Sequence, residues 1–123
     1  MKTKISLVLL QISDKFDPFG GSNLRILVDE HEDIPYKYIS TKTVDDTMQE
    51  LLFKYTNLDI RYCKPVLSGF EHEEGSPECE AIYTVKMPDG ILSLKLGRLA
   101  TLPELRLKDH YARIIQQSPR SIY

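Results

Sequence analysis

Three groups of side chains in this chain have types and spacings suited to chemistry. The first lies between Thr43 and Leu58, where Asp45, Asp46 and Glu50 are followed by Lys54. Carboxylates grouped on one helix can hold a hard divalent cation, which neutralises phosphate charge and activates water. Here, however, Glu50 and Lys54 stand at the i,i+4 spacing of a helix-surface ion pair, and an ammonium in the cluster would repel Mg²⁺. A pairing role is preferred for both residues over a catalytic one. The second group is the acidic loop Glu71-His72-Glu73-Glu74-Gly75-Ser76-Pro77-Glu78. Joined to Glu50, Asp45 or Asp46 it could form an unorthodox metal site, although solvated loop acids are the plainer reading. The third group is Tyr36, Lys37, Tyr38, Lys54 and Tyr55. Aromatic rings stack on bases, lysines meet phosphates, and aromatics also anchor protein interfaces. Core packing of Tyr38 and Tyr55 is an equal expectation.

Other chemistries find little support. No serine or cysteine sits in a nucleophile elbow, and Gly20-Gly21 lacks the lysine and spacing of a phosphate-binding loop. His72 and His110 are isolated, which favours surface or supporting roles. Cys63 and Cys79 are distant in sequence, and two free thiols in a reducing cytoplasm are preferred over a disulfide. No metal or cofactor is implied. Lys and Arg total 16 against 18 Asp and Glu, a net charge of −2, so composition gives neither a nucleic-acid stripe nor a polybasic membrane patch. A local basic surface created by folding stays open. The apolar run Ile5–Ile12 is too short to cross a bilayer, and no small-residue cleavage site follows it. It is expected to be a first strand. A chain of 123 residues fits a single domain spanning 1–123 that buries roughly two-thirds of its unfolded surface.

These groups must be positioned by short elements. Lys4–Ile12 and Leu24–Asp29 read as strands joined through the turn-forming Asp17–Asn23. Glu30–Asp33 is a solvated loop, and Tyr36–Ser40 is extended. Thr43–Tyr55 is predicted to be a helix. Thr43 caps it, Asp45 and Asp46 complement its dipole, and Val44, Met48, Leu51, Leu52 and Tyr55 share one face. Asn57 is expected to stop it in the left-handed region. Strands follow at Tyr62–Phe70, with a break at Pro65, at Ala81–Met87 and at Ile91–Gly97, the last two joined by Pro88-Asp89-Gly90. Thr101-Leu102-Pro103-Glu104 is expected to open a second helix that buries Leu107, Tyr111, Ile114 and Ile115. The tail Ser118–Tyr123 reads as irregular. The order ββ(β)αβββα is an α+β pattern.

Several segments resemble the Nudix hydrolase family, and the resemblance covers most of the chain. Leu24–Asp29 is similar to the strand before the Nudix box, Ile34-Pro35 to its opening, and Thr43-Val44-Asp45-Asp46 to the start of its helix. Thr56-Asn57-Leu58 is similar to its end, and Leu102-Pro103-Glu104-Leu105 to the approach to the last helix. The resemblance implies a mixed β-sheet sandwiched between two helices. A competing α+β fold would instead place both helices on one face of an antiparallel sheet.

The box itself is depleted. Anchored on Thr56-Asn57-Leu58, its three metal-binding glutamate positions fall on Leu51, Lys54 and Tyr55. Shifted by one residue they fall on Glu50, Phe53 and Lys54, and Tyr36-Lys37 replaces the flexible glycines of the loop. The resemblance therefore implies a catalytically inactive Nudix-fold protein acting as a binding or structural module, a subunit of a larger assembly. Its contacts would be Tyr36, Lys37, Tyr38, Lys54 and Tyr55, and its partner a protein, with a nucleotide or RNA also open and no membrane. The alternative is a divalent-metal-dependent pyrophosphohydrolase of nucleoside diphosphate-linked substrates with a non-standard carboxylate set.

Overall fold

A computed structural model of the protein describes residues 2–12, 24–88, 92–101 and 105–117. The elements in chain order are β1 (Lys2–Ile12), β2 (Leu24–Val28), β3 (Tyr36–Tyr38), α1 (Val44–Tyr55), α2 (Ile60–Cys63), β4 (Val66–Glu71), β5 (Glu78–Pro88), β6 (Arg98–Ala100) and α3 (Asp109–Gln117). The strands form one sheet in the order β4-β5-β1-β2-β6, with β3 also on β1. β1 and β5 run parallel from Lys2↔Glu78 to Ile12↔Pro88, and the other pairings are antiparallel, so the sheet is mixed.

Alternation along β1 builds two cores. Ile5, Leu7 and Leu9 point to one side, where they meet Met48, Leu51, Leu52 and Tyr55 of α1. Val8, Leu10 and Ile12 point to the other and meet Tyr111, Ile114 and Ile115 of α3. The two long helices therefore cover opposite faces, and the sandwich of the α+β expectation is what forms. Each fully buried aliphatic side chain in these layers stabilises the fold by roughly 1.5–3 kcal/mol.

α1 starts where expected, because the Thr43 side chain accepts a hydrogen bond from the Asp46 backbone N–H at 3.1 Å. Its end differs. Among the described residues, positive φ outside glycine occurs only at Glu32 and Lys64, so Asn57 is not a left-handed stop. Thr56 closes the helix instead. Its backbone N–H and its hydroxyl both donate to the Leu52 carbonyl, at 2.7 and 2.8 Å. Asn57 is thereby released to pair with Ser93.

Three further expectations are corrected. Tyr62 and Cys63 belong to a short helix, Ile60–Cys63, rather than to the start of a strand, since the Asp59 carboxylate caps Arg61 N–H at 2.9 Å. Lys64 (φ 46) and Pro65 then turn the chain into β4. The segment after residue 91 is mostly irregular, with an isolated Thr56↔Leu94 bridge and strand only at β6. Its backbone serves the end of α1, where Lys95 N–H donates to the Tyr55 carbonyl at 2.8 Å. The last helix begins at Asp109, not after Thr101, and Leu105 and Leu107 pack on the α3-side core from irregular backbone. The expected turns at Asp17–Asn23 and Asp89-Gly90, the stretch Leu102-Pro103-Glu104 and the tail Ser118–Tyr123 lie outside the described residues.

Candidate functional site

Glu50 projects from α1 toward β3 and the loop after it, and its carboxylate accepts from the ammonium groups of both Lys37 and Lys42. The Lys37 bond, then the Lys42 bond, hold its pKa down to about 2. The expected Glu50–Lys54 pair does not form. Lys54 lies instead over the ring of Tyr55, 5.3 Å from the centroid. Leu51 and Tyr55 are in the core, and burial raises the Tyr55 pKa, with the charges of Glu30 and Asp29 adding to the effect. Phe53 is half exposed, with Lys95 5.6 Å from its ring. The positions that the two expected placements of the box would give to metal-binding glutamates thus hold core residues, an exposed aromatic, a lysine or an already neutralised carboxylate. Among the described residues, no three His, Cys, Asp or Glu side chains are grouped so as to share a metal ion.

Strand alternation divides the aromatic and lysine group. Tyr36 and Tyr38 stand opposite Ser6 and Lys4 in the β1–β3 register and therefore share the α3 side of the sheet. Lys37, opposite Ile5, faces the α1 side. The two tyrosine rings meet edge-on with centroids 5.8 Å apart, Lys4 lies 4.2 Å from the Tyr36 centroid, and Lys2 lies 5.4 Å from that of Tyr38. Tyr38 donates to Glu78 at 3.2 Å, and its pKa is raised first by desolvation and then by that carboxylate. The five residues thus form a ladder on one face (Tyr36 and Tyr38) and separate contacts around α1 (Lys37, Lys54 and Tyr55).

Beside the ladder lies a buried polar cluster that sequence reasoning missed. Glu80 is 9% exposed and accepts from the hydroxyls of Ser6 and Tyr111 at one carboxylate oxygen. His110 Nε2 is 3.1 Å from the other oxygen, and Lys4 Nζ is 3.8 Å from the first. Burial alone would raise the Glu80 pKa. The hydrogen bonds from Ser6 and Tyr111 and the charges of Lys4 and His110 outweigh it and hold the carboxyl below its usual value. Tyr111 is pushed well above the ordinary phenol range by burial and by the Glu80 carboxylate it serves. Two signals were available in the sequence: Ser6 interrupts an apolar run, and Glu80 opens another.

This cluster forms the wall between two clefts. One, of about 320 Å³, is lined by Lys4, Tyr36, Arg106, Lys108 and Tyr111 with Asp33 and apolar groups. It carries three cations and one carboxylate. The other, of about 290 Å³, takes Glu71, Glu73 and Glu78 of the acidic loop together with Glu80, His72 and His110. The loop acids therefore serve the α3 side, whereas Glu50 projects on the α1 side, and the mixed carboxylate set expected as an alternative is not brought together.

No family model and no curated protein sequence matches the chain. Solved structures do. The Nudix domain of Shewanella oneidensis NrtR, crystallised with ADP ribose, is similar with a TM-score of 0.61 over 93% of this chain and 84% of that one, at 15% identity. The C-terminal domain of mouse MUTYH, in its complex with human PCNA, is similar with a TM-score of 0.63 over 94% and 86%, at 8% identity. Identities this low speak for the fold alone, and with a mixed sheet held between α1 and α3 the chain has a Nudix-like fold.

Proposed function

We propose that this protein is a catalytically inactive binding module on a Nudix-like frame, working as a subunit of a larger assembly. The observation that carries the reading is the neutralisation of Glu50 by Lys37 and Lys42 on the helix that corresponds to the Nudix box. A carboxylate held by two ammonium groups offers a divalent cation no net negative charge, and the neighbouring box positions supply no second carboxylate.

The best-built ligand surface is the cleft of Lys4, Tyr36, Arg106 and Lys108. The side chains of Arg106 and Lys108 make no hydrogen bond or ion pair with the other described residues, so both are free to meet an anion. Tyr36 is 46% exposed and offers a stacking face. This combination suits a ligand with phosphate and an aromatic ring, a nucleotide or an RNA segment. The similar NrtR domain was crystallised with ADP ribose, which supports that chemistry. Tyr38 extends the same face, whereas Lys37, Lys54 and Tyr55 take structural parts in the proposal. A protein partner is proposed alongside, supported by the similar MUTYH domain's complex with PCNA. Two buried free thiols fit a reducing cytoplasm. No helix among the described residues is long and apolar enough to cross a membrane.

The test is a titration with ADP ribose, with and without Mg²⁺, in which binding and phosphate-ester release are both followed. The expected result is saturable, Mg²⁺-independent binding that Arg106→Ala and Lys108→Ala weaken, with no release. Mg²⁺-dependent release that Glu50→Gln abolishes would establish the pyrophosphohydrolase alternative instead.

A further inference from the structure

Among the described residues β4 ends the sheet with its outer edge unpaired, and it is unusually apolar for an edge. Val66 is 61%, Leu67 56% and Phe70 62% exposed, and Tyr62 on the adjoining α2 is 79% exposed. Edge strands are ordinarily blunted by charge or proline because their free N–H and C=O groups template further pairing. Here Pro65 and Lys64 precede the strand, Glu71 closes it, and no charge lies between.

The register against β5 shifts between Leu67 and Gly69. Leu67 therefore lies opposite Tyr83 and Phe70 opposite Ala81, and both face the α1 side. Val66 opposite Thr84 and Glu71 opposite Glu80 face the α3 side. The shift makes the strand self-complementary. Laid antiparallel on its own copy, with Leu67 opposite Phe70, the strand puts Val66 opposite Glu71, and each of these two facing pairs stays on one side of the sheet. Counted on past the strand ends, the same register brings Lys64 of one copy near Glu73 of the other at each end.

We infer that β4 is a self-association strand, two copies of this chain pairing β4 against β4 about a two-fold axis normal to the sheet. The contact joins the two sheets into one and forms an apolar cluster of Leu67 and Phe70 from both copies, flanked by Tyr62. Charge selects a second copy in antiparallel register, because a parallel pairing would place Glu71 and Glu73 beside their own counterparts. Covering the four exposed side chains on both copies buries about 1,000 Å², the lower bound of a specific interface. The dimer expected is accordingly weak and concentration-dependent. This inference is independent of the anion cleft on the other side of the sheet.

The experiment is sedimentation equilibrium of the full chain up to about 100 μM, a range that reports micromolar dissociation constants. Wild type is expected to dimerise reversibly, and Leu67→Lys to raise the dissociation constant by about tenfold or more. Lys64→Glu is expected to weaken the dimer, and adding Glu73→Lys to restore it. Leu67 and Lys64 are exposed, and circular dichroism checks that each variant is folded. A chain that stays monomeric overturns the inference and leaves the edge to a foreign strand. A dimer indifferent to Leu67→Lys, or a charge swap that fails to rescue, overturns it equally.

Discussion

Replacing Glu80 with glutamine tests the buried cluster without changing its shape. In the wild type one carboxylate oxygen accepts from both Ser6 and Tyr111, and Lys4 stands 3.8 Å away. The amide keeps an acceptor but loses the charge, so two charge-assisted bonds become neutral ones at a cost of about 1 kcal/mol each. With the weak Lys4 pair also gone, Glu80→Gln should destabilise the protein by about 2–3 kcal/mol and lower Tm by about 8–12 °C. The pH dependence sharpens the test. The folded-state pKa of Glu80 lies below the ordinary glutamate value of 4.5, so its stabilisation is present above pH 4.5 and is lost as pH falls through the lower folded value. Glutamine does not titrate. Urea unfolding of both proteins at several pH values should show the full gap at pH 7 and a shrinking one below about 4.5. A glutamine variant as stable as wild type at pH 7, or a gap unchanged in acid, would refute the assignment of a charged, doubly bonded Glu80.

Other consequences follow from single positions. Tyr111 has a raised pKa, so its contribution is present below the ordinary phenol value of 10.0 and is lost as pH rises through the higher folded value. Tyr111→Phe should flatten the alkaline end of the stability curve and cost about 1–3 kcal/mol at neutral pH, read by thermal melts. Leu52 is fully buried at the centre of the α1 core, and Leu52→Ala should cost about 2–5 kcal/mol in urea unfolding. Gly97 and Gly75 both have positive φ, but a Cβ at Gly97 would sit 2.4 Å from the Val28 carbonyl oxygen, whereas one at Gly75 meets nothing within 4 Å. Gly75→Ala should cost about 1 kcal/mol and Gly97→Ala at least about 2 kcal/mol more, the ordering being the point measured.

The legible parts of this fold are those set by local pattern. The apolar run of β1, the capped and periodic α1 and the buried face of α3 all depend on residues within a few positions of one another. What was misread depends on distant backbone. Tyr62 and Cys63 have side chains that suit a strand, yet Asp59 caps them into α2, and the segment before Gly97 is bent to serve the carbonyl end of α1. The start of α3 was misplaced because the Thr101 pattern is local and weak, while Tyr111 and the Glu80 contacts fix the helix in space. At the site, Glu50 exchanged its near neighbour Lys54 for Lys37 and Lys42, which β3 and the following loop deliver from outside the helix. Alternation could have told that Tyr36 and Tyr38 share a face that Lys37 does not. For the Glu80 cluster the polar residues at Ser6 and Glu80 mark the members but not their pairing, since the parallel β1–β5 register brings Ser6 and Lys4 to a carboxylate more than seventy residues away.

The most direct test of the central claim is a Mg²⁺ titration into the millimolar range, followed by the amide resonances of Thr43–Leu58 with ADP ribose present. A helix whose Glu50 is already held by Lys37 and Lys42 predicts no saturable shift along that segment and no phosphate-ester release. Saturable shifts centred on Glu50, accompanied by release, would show that a working metal site survives and would contradict the account.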